Sequence, residues 1–245
     1  MHPVLFHVGA WPFPTYALFV LAGLVVAGRL RRDAMARLGL DQLPGHEQVS
    51  LGALVGAVLG AKLGMLLFEP WAGVGRLLRQ MLDLDFTGKT VVGALVGGFL
   101  GVELVKRRVG ITRRTGDAYA VALPVGMAIG RLGCLLNGCC NGVMWAGPWA
   151  VEIGGVSRHP AQLYEAGLDL LIAAFTAFYP GRSWPEGHRF RRVLVLYATA
   201  RFGLEWLRDD FYRMLGPFSG VQVVCLLTIV GFSVSMWRRE TAATG

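Results

Sequence analysis

Seven apolar runs, each close to the length of a membrane-spanning helix, dominate the sequence. They lie at about 14–30, 49–68, 90–105, 118–136, 160–179, 193–207 and 221–237. A helix needs about 20 mostly apolar residues to cross the hydrocarbon core of a bilayer. Charged residues make up only 16% of the chain, whereas an average soluble domain has about 25%. The runs therefore predict an all-α polytopic membrane protein with about seven transmembrane helices, built as a single integral membrane domain over residues 1–245.

The distribution of arginine predicts how these helices are oriented. Arginines cluster after the first, third, fifth and seventh runs: Arg37, Arg113, Arg114, Arg182, Arg189, Arg191, Arg192, Arg238 and Arg239. Basic loops favour the cytoplasmic side, so we expect the N-terminus outside and the C-terminus in the cytoplasm. Short extracytoplasmic segments are then expected at about 70–89, 141–159 and 208–220. Basic cytoplasmic loops also account for the net charge of +8, so no nucleic-acid partner is expected.

Two arginines interrupt the apolar runs, Arg131 in the fourth and Arg201 in the sixth. The sixth run carries a polar stripe at helical spacing, formed by Tyr197, Arg201, Glu205 and Arg208. An Arg–Glu pair that neutralises itself in the bilayer would explain this stripe without any function. Arginines in two different spans instead favour a shared polar cavity, open to the outer leaflet, because an unpaired arginine in hydrocarbon is costly. Guanidinium groups bind phosphate oxygens bidentately, which favours a phospholipid headgroup as the ligand.

More polar residues gather between the fourth and fifth runs, around His159 and three cysteines. A histidine there could simply anchor the chain, but His159 is also the candidate for proton transfer near neutral pH. Cys134, Cys139 and Cys140 are read as buried apolar fillers, as a reactive thiol near Arg131, as a redox pair or as metal ligands. No CxxC spacing is present, so a zinc site is not indicated. The neighbouring Cys139 and Cys140 are expected to point in different directions.

Three motifs in order give the sequence a family resemblance. They are GRLGCLLNGC at 130–139, which continues to Gly142, RHPAQLYE at 158–165, and the YxxxRxxxExxR stripe at 197–208, with Tyr16 in the first run. At these residues, and over nearly the whole chain, the sequence resembles the prolipoprotein diacylglyceryl transferase family of bacterial inner membranes. The resemblance implies transfer of diacylglycerol from phosphatidylglycerol to the thiol of a lipobox cysteine in a secreted prolipoprotein. It implies a thioether-forming displacement that releases glycerol phosphate, without a metal or other cofactor.

The residue patterns and the resemblance together predict the functional residues. The predicted catalytic residues are Arg201, Arg131, Glu205, His159 and Cys139. The predicted substrate-binding residues are Tyr16, Asn137, Gly142, Arg158, Gln162, Tyr164, Glu165, Tyr197 and Arg208. We expect the protein to lie in the bacterial inner (cytoplasmic) membrane as a multi-pass protein.

The sequence also departs from the family pattern. Val92 stands where the family has a third-span histidine, Cys134 where it has an asparagine, and Cys139 where it has an acidic residue. Lys62 replaces an arginine of the second span. The proton-transfer role given to the family's histidine cannot pass to valine. A closely related phospholipid-headgroup transferase with another acceptor therefore stays open. The alternative from a different class is a non-catalytic phospholipid-binding or lipid-moving protein on the same scaffold.

Overall fold

The computed structural model describes residues 4–8, 11–64, 90–179, 185–210 and 213–244. Within these ranges the chain forms seven α-helices, one in each apolar run, which confirms the mainly helical prediction. They are α1 (Thr15–Arg37), α2 (His46–Leu63), α3 (Val91–Val109), α4 (Ala122–Asn137), α5 (Ala161–Phe178), α6 (His188–Leu204) and α7 (Gly220–Thr244). The segment at 70–89, which was predicted to be extracytoplasmic, lies outside the described residues.

Three short antiparallel hairpins correct the all-α expectation. Their strands are β1 (Val4–Val8) with β2 (Trp11–Pro14), β3 (Val151–Ile153) with β4 (Val156–Arg158), and β5 (Arg213–Leu215) with β6 (Phe218–Ser219). Between β3 and β4, Gly154 and Gly155 both have positive φ values, 61° and 77°. Two consecutive positive φ values are what the type I′ turn, a common two-residue hairpin turn, requires. The hairpins were missed because strands of two to five residues carry too little periodicity to compete with long apolar runs.

The first of two compact units comprises Met1–Arg37, Arg114–Phe211 and Cys225–Gly245. In it α4 packs against both α1 and α5, and α5 packs against α6. Helices α1 and α4 approach closely because Gly23 has no side chain. A Cβ atom at Gly23 would lie 2.7 Å from the carbonyl oxygen of Gly126.

The second unit comprises Leu38–Arg113 and Tyr212–Val224, with α2 packed against α3. Glycines recur every four residues on both helices: Gly52, Gly56, Gly60 and Gly64 on α2, and Gly93, Gly97 and Gly101 on α3. A Cβ atom at Gly97 would overlap the carbonyl oxygen of Gly56. The spacing therefore serves close backbone contact, as small-residue repeats do between membrane helices.

Two helical segments are long and apolar enough to cross a membrane by length and composition, Gly116–Asn137 and Gly220–Arg238. The first includes a short 3₁₀ helix ahead of α4, at Gly116–Tyr119. Other helices expose large apolar side chains, among them Leu18, Leu21 and Leu24 on α1, Leu51, Leu54 and Leu59 on α2, and Leu170, Leu171 and Phe175 on α5. Exposed apolar faces of this extent suit contact with lipid or a partner. The seven-span topology itself stays a prediction.

Candidate functional site

The end of α4 brings three thiols together. Gly138 ends the helix in a left-handed conformation, and the N–H groups of Gly138 and Cys139 donate to the carbonyls of Leu135 and Cys134 at 3.1 Å each. Cys140 is itself left-handed, with φ 61°. As a result the sulfur atoms of Cys134, Cys139 and Cys140 all lie within 4.8 Å of one another. The expectation that the two neighbouring cysteines point apart is wrong, because the left-handed turn folds the second one back.

Backbone hydrogen bonds hold the segment after the thiols between two distant parts of the chain. On one side, the Val143 N–H donates to the Leu207 carbonyl at 2.9 Å, and the Asp209 N–H donates to the Asn141 carbonyl at 3.0 Å. On the other side, the His159 N–H donates to the Val143 carbonyl at 3.0 Å. The segment after the thiol-bearing turn is therefore held by tertiary hydrogen bonds, in addition to the local ones that end α4.

Two residues predicted to bind substrate serve this turn in the structure. Gln162 is fully buried, and its Nε2 donates to the Cys139 carbonyl at 2.7 Å and to Asn141 Oδ1 at 3.1 Å. Gly142 lies against His159, and a Cβ atom there would overlap the His159 carbonyl oxygen. Their substrate contacts stay a prediction, whereas their structural role is visible.

A buried ionic cluster joins three segments of the first unit. Glu165 of α5 pairs through Oε2 with Nη2 of Arg131 on α4, and its Oε1 lies 3.1 Å from Nη1 of Arg208. Arg208 also donates from Nε and Nη2 to the two carboxylate oxygens of Asp210, at 2.8 and 2.7 Å. Burial opposes the charge of Arg208, but its hydrogen bonds to Asp210 and the charge of Glu165 outweigh burial and raise its pKa. The cluster is nearly sealed from solvent, since Arg131 is 6% exposed and Glu165 3%.

The position of Arg208 corrects the predicted helical stripe. Helix α6 ends at Leu204, and a 3₁₀ turn covers Glu205–Leu207. Arg208 follows with extended backbone angles, φ −91° and ψ 141°. It therefore reaches Glu165 from a loop and does not continue the face that bears Arg201.

The Arg201–Glu205 ion pair is present and buried, with 2.6 Å between Nη1 and Oε2. Tyr197 lies one turn earlier, and its buried hydroxyl has no hydrogen-bond partner among the described residues. The charges of Arg131 and Arg201 both act on Tyr197. Arg131 of α4 and Arg201 of α6 therefore both lie within electrostatic range of this tyrosine, in the first unit. That this region forms a cavity open to the outer leaflet stays a prediction.

Asp169 was missed by reasoning from the sequence. It lies on α5 one turn after Glu165, is 2% exposed, and its Oδ2 has no hydrogen-bond partner within the described ranges. The Asp169 carboxyl lies within electrostatic range of both Arg131 and Glu165. The available signal was an acid inside an apolar run, four residues after Glu165 and hence on the same helix face.

His159 lies in an aromatic group. The Trp145 ring stacks on its imidazole, with 4.3 Å between centroids and 8° between planes. The Tyr164 hydroxyl accepts a hydrogen bond from Trp149 Nε1 at 2.7 Å and lies 3.1 Å from His159 Nδ1. The proton of the Tyr164 hydroxyl is therefore available for a hydrogen bond to His159 Nδ1. The neighbouring Arg158 pairs with Asp209 at 2.7 Å. The two tryptophans were not among the predicted site residues.

Tyr16 and Asn137 border the thiols. Tyr16 of α1 lies close enough for all three thiols and Arg131 to act on it electrostatically. Asn137, the last residue of α4, interacts with the Cys139 thiol. Hydrogen bonds from the Cys134 and Cys139 thiols lower the pKa of Cys140 below its ordinary value, against the effect of burial. The charges of Arg131 and Arg208 act in the same direction.

Comparison with known proteins decides the family. The sequence model described as prolipoprotein diacylglyceryl transferase matches residues 3–238 of this chain. The chain belongs to the prolipoprotein diacylglyceryl transferase family. Each of its three sequence motifs contributes one residue to the buried ionic cluster. These residues are Arg131 from the first motif, Glu165 from the second and Arg208 from the third.

Relatives from several bacteria cover almost the full length of this family member. A phosphatidylglycerol--prolipoprotein diacylglyceryl transferase of Nitratidesulfovibrio vulgaris is 32% identical over 99% of this chain and 96% of its own. The enzyme of the same name from Geobacter sulfurreducens is 32% identical, over 91% of this chain and 89% of its own. That of Clostridioides difficile is 25% identical, over 88% of this chain and 86% of its own.

The departures of this diacylglyceryl transferase family member fall in two places. Lys62 and Val92 belong to the second unit, where Val92 is buried. Cys134 and Cys139 belong to the first unit, in the thiol cluster beside Arg131. Two of the three cysteines in the cluster thus stand where the family pattern has an asparagine and an acid.

Proposed function

We propose that this protein transfers the diacylglyceryl group of phosphatidylglycerol to the thiol of a lipobox cysteine in a secreted prolipoprotein, in the bacterial cytoplasmic membrane. Relatives with this activity in their names align with 88% to 99% of the chain. The observation that carries the proposal is the buried Arg131–Glu165–Arg208 cluster, where all three family motifs meet.

The chemistry explains why buried arginines are needed. The acceptor sulfur attacks the glyceryl carbon that bears the phosphate, so a C–S bond forms and the C–O bond breaks. The electron pair of the C–O bond goes to the phosphate oxygen, and glycerol phosphate leaves with one more negative charge. Cations fixed beside that oxygen stabilise the transition state more than the bound lipid.

We assign the phosphate to Arg131 and Arg201. A guanidinium has five N–H donors, and one carboxylate cannot use them all. Glu165 and Glu205 therefore orient the two arginines and leave donors for phosphate oxygens. The Tyr197 hydroxyl, within electrostatic range of both arginines, is a further donor without a protein partner among the described residues. His159 receives the role of proton carrier, with Tyr164 as its hydrogen-bond partner.

We also propose seven spans with the N-terminus outside. The exposed leucines of α1, α2 and α5 support this, because such faces are unfavourable in water. The basic last turns of α1 and α3, with Arg37 on one and Lys106, Arg107 and Arg108 on the other, support a common cytoplasmic side. The acceptor and the lipid would then enter from the outer leaflet.

The test is a defined transfer reaction. Purified protein in mixed micelles with phosphatidylglycerol and a lipobox peptide should release glycerol phosphate and give a thioether-linked peptide, detected by mass spectrometry. A peptide with serine in place of its cysteine should give neither product. Arg131→Gln should abolish transfer, whereas Arg108→Ala, at the exposed end of α3, should not. Lipid binding without any product from the wild-type protein would instead support the lipid-binding alternative.

A further inference from the structure

The three thiols at the end of α4 have the dimensions of a metal site. Cys134, Cys139 and Cys140 are all free, and their sulfur atoms lie within 4.8 Å of one another. Thiolates of a tetrahedral zinc lie about 2.3 Å from the metal and hence about 3.8 Å from one another. Closing the cluster around zinc therefore needs sulfur shifts of about an ångström or less.

The turn that carries the thiols is held as a preformed ligand set. The left-handed backbone of Cys140 is a conformation that non-glycine residues rarely adopt, and such conformations persist where surrounding structure imposes them. Gln162, itself fully buried, fixes the carbonyl of Cys139. Hydrogen bonds to the residues that ligate a metal orient those ligands in proteins.

Charge around the cluster fits an anionic metal complex. Zinc with three thiolates carries one negative charge, and a fourth thiolate adds another. The positive charges of Arg131 and Arg208 both act on Cys140. No histidine or carboxylate belongs to this ligand cluster among the residues that the structure describes. The fourth position of a tetrahedral zinc is thus left for a ligand from outside.

We propose that Cys134, Cys139 and Cys140 bind one zinc ion as thiolates and that its fourth position takes the acceptor thiol. Three protein ligands and one open position are the pattern of catalytic rather than structural zinc sites. The spacing of the cysteines did not indicate this site, because the chain reversal at Gly138 and Cys140, and not a CxxC motif, brings the sulfurs together. The second half of the proposal, the acceptor thiol, rests on the proposed function.

Zinc at this site supplies the acceptor thiolate in a chain where Val92 stands in place of the family's third-span histidine. Zinc uptake releases the three protons of the cysteine thiols to solvent. The acceptor thiol loses its proton to solvent as it coordinates, because a metal-bound thiol is deprotonated. Its sulfur then attacks the glyceryl carbon, the C–O electron pair passes to the phosphate, and the neutral thioether leaves the metal. No oxidation or reduction occurs in this sequence.

Metal content gives the first test. Wild-type protein in detergent micelles, incubated with Zn²⁺ and then desalted, should retain about one zinc per chain. Cys134→Ser, Cys139→Ser and Cys140→Ser should each lose most of it, and Cys225→Ser, a buried cysteine on α7, should not. Wild-type protein without zinc, or Cys140→Ser with a full complement, would overturn the proposal.

Cobalt provides a second test that needs only the wild-type chain. Co²⁺ in the same site should show the visible absorption bands and the sulfur-to-metal charge-transfer band of tetrahedral thiolate coordination. Adding a lipobox peptide should shift the visible bands, whereas the serine version of that peptide should leave them unchanged. Absent thiolate bands would overturn the metal site, and bands that do not respond to the cysteine peptide would overturn the open fourth position.

The transfer assay separates this proposal from the proposed function. A thiol with a pKa near 8.5 is only about 3% thiolate at pH 7, so removing zinc with a chelator should slow transfer by up to about 30-fold, and zinc should restore it. Unchanged thioether formation after zinc removal would contradict the role of zinc but would still support the transferase function. Binding of zinc and peptide without any thioether product would support the metal site but would contradict the transferase function.

Discussion

The shared carboxylate of Glu165 leads to the sharpest stability prediction. Glu165→Gln keeps the size of the side chain but removes the charge that faces Arg131 and Arg208. Breaking a buried ion pair by removing one partner costs about 3–5 kcal/mol, because a charge is left buried without compensation. Asp169 lies near Arg131 and limits the loss, so we expect a decrease in the free energy of unfolding of about 3 kcal/mol.

A second substitution shows which arginine is left with an uncompensated buried charge. In the Glu165→Gln background, Arg131→Gln removes the stranded charge and should recover about 2 kcal/mol, since replacing both members of a buried pair is often nearly neutral. Arg208→Gln in the same background should recover nothing. Arg208 keeps its two hydrogen bonds to Asp210, at 2.8 and 2.7 Å, and is therefore not stranded.

Equilibrium unfolding in mixed micelles of a mild detergent and sodium dodecyl sulfate measures these free energies. All four proteins should be compared at one lipid content. Equal recovery from both arginine substitutions, or greater recovery from Arg208→Gln, would show that Asp210 does not compensate Arg208 and that the assignment of the cluster is wrong.

Three further predictions follow from other parts of the chain. Arg201→Lys and Arg201→Ala should each lower turnover of phosphatidylglycerol by about 10²–10³-fold while the protein stays inserted, and near-normal turnover would remove Arg201 from the mechanism. Gly97→Ala should lower the free energy of unfolding by about 1–3 kcal/mol through overlap with Gly56, while Gly28→Ala, where a Cβ atom meets open space, should not; equal effects would contradict the close contact. A reporter fused after Arg239 should be active only in the cytoplasm, and activity on the outer side would contradict the seven-span orientation.

Helix positions were predictable because each apolar run is long enough to carry a clear signal, but helix ends were not. Helix α6 was expected at 193–207, whereas it begins at His188 and ends at Leu204. Three residues after this end, the Leu207 carbonyl accepts a hydrogen bond from the Val143 N–H, which joins residues far apart in sequence. Local periodicity contains no information about such a bond, and the misplaced Arg208 follows from this.

In the candidate site, too, some features could be predicted from the sequence and others could not. Arg131, Arg201 and Glu205 were predictable because charges are rare in apolar runs, and the same signal was available for Asp169. The thiol cluster was not predictable, because Cys140 reaches its neighbours only through a left-handed conformation that the surrounding loop imposes. The structural role of Gln162 and Gly142 in holding the turn was also not predictable, because it depends on contacts with residues far apart in sequence; their predicted substrate contacts stay a prediction.

The clamping of Val143 between His159 and Leu207 has a consequence for biosynthesis. Its partners lie 16 and 64 residues further along the chain, and ribosomes add about 5–20 residues per second. Roughly 3–13 seconds therefore separate the synthesis of the thiol-bearing turn from that of its last backbone partner. During that interval the nascent chain carries three cysteines, within residues 134–140, without the backbone hydrogen bonds that later enclose them, so the fold does not yet protect these thiols.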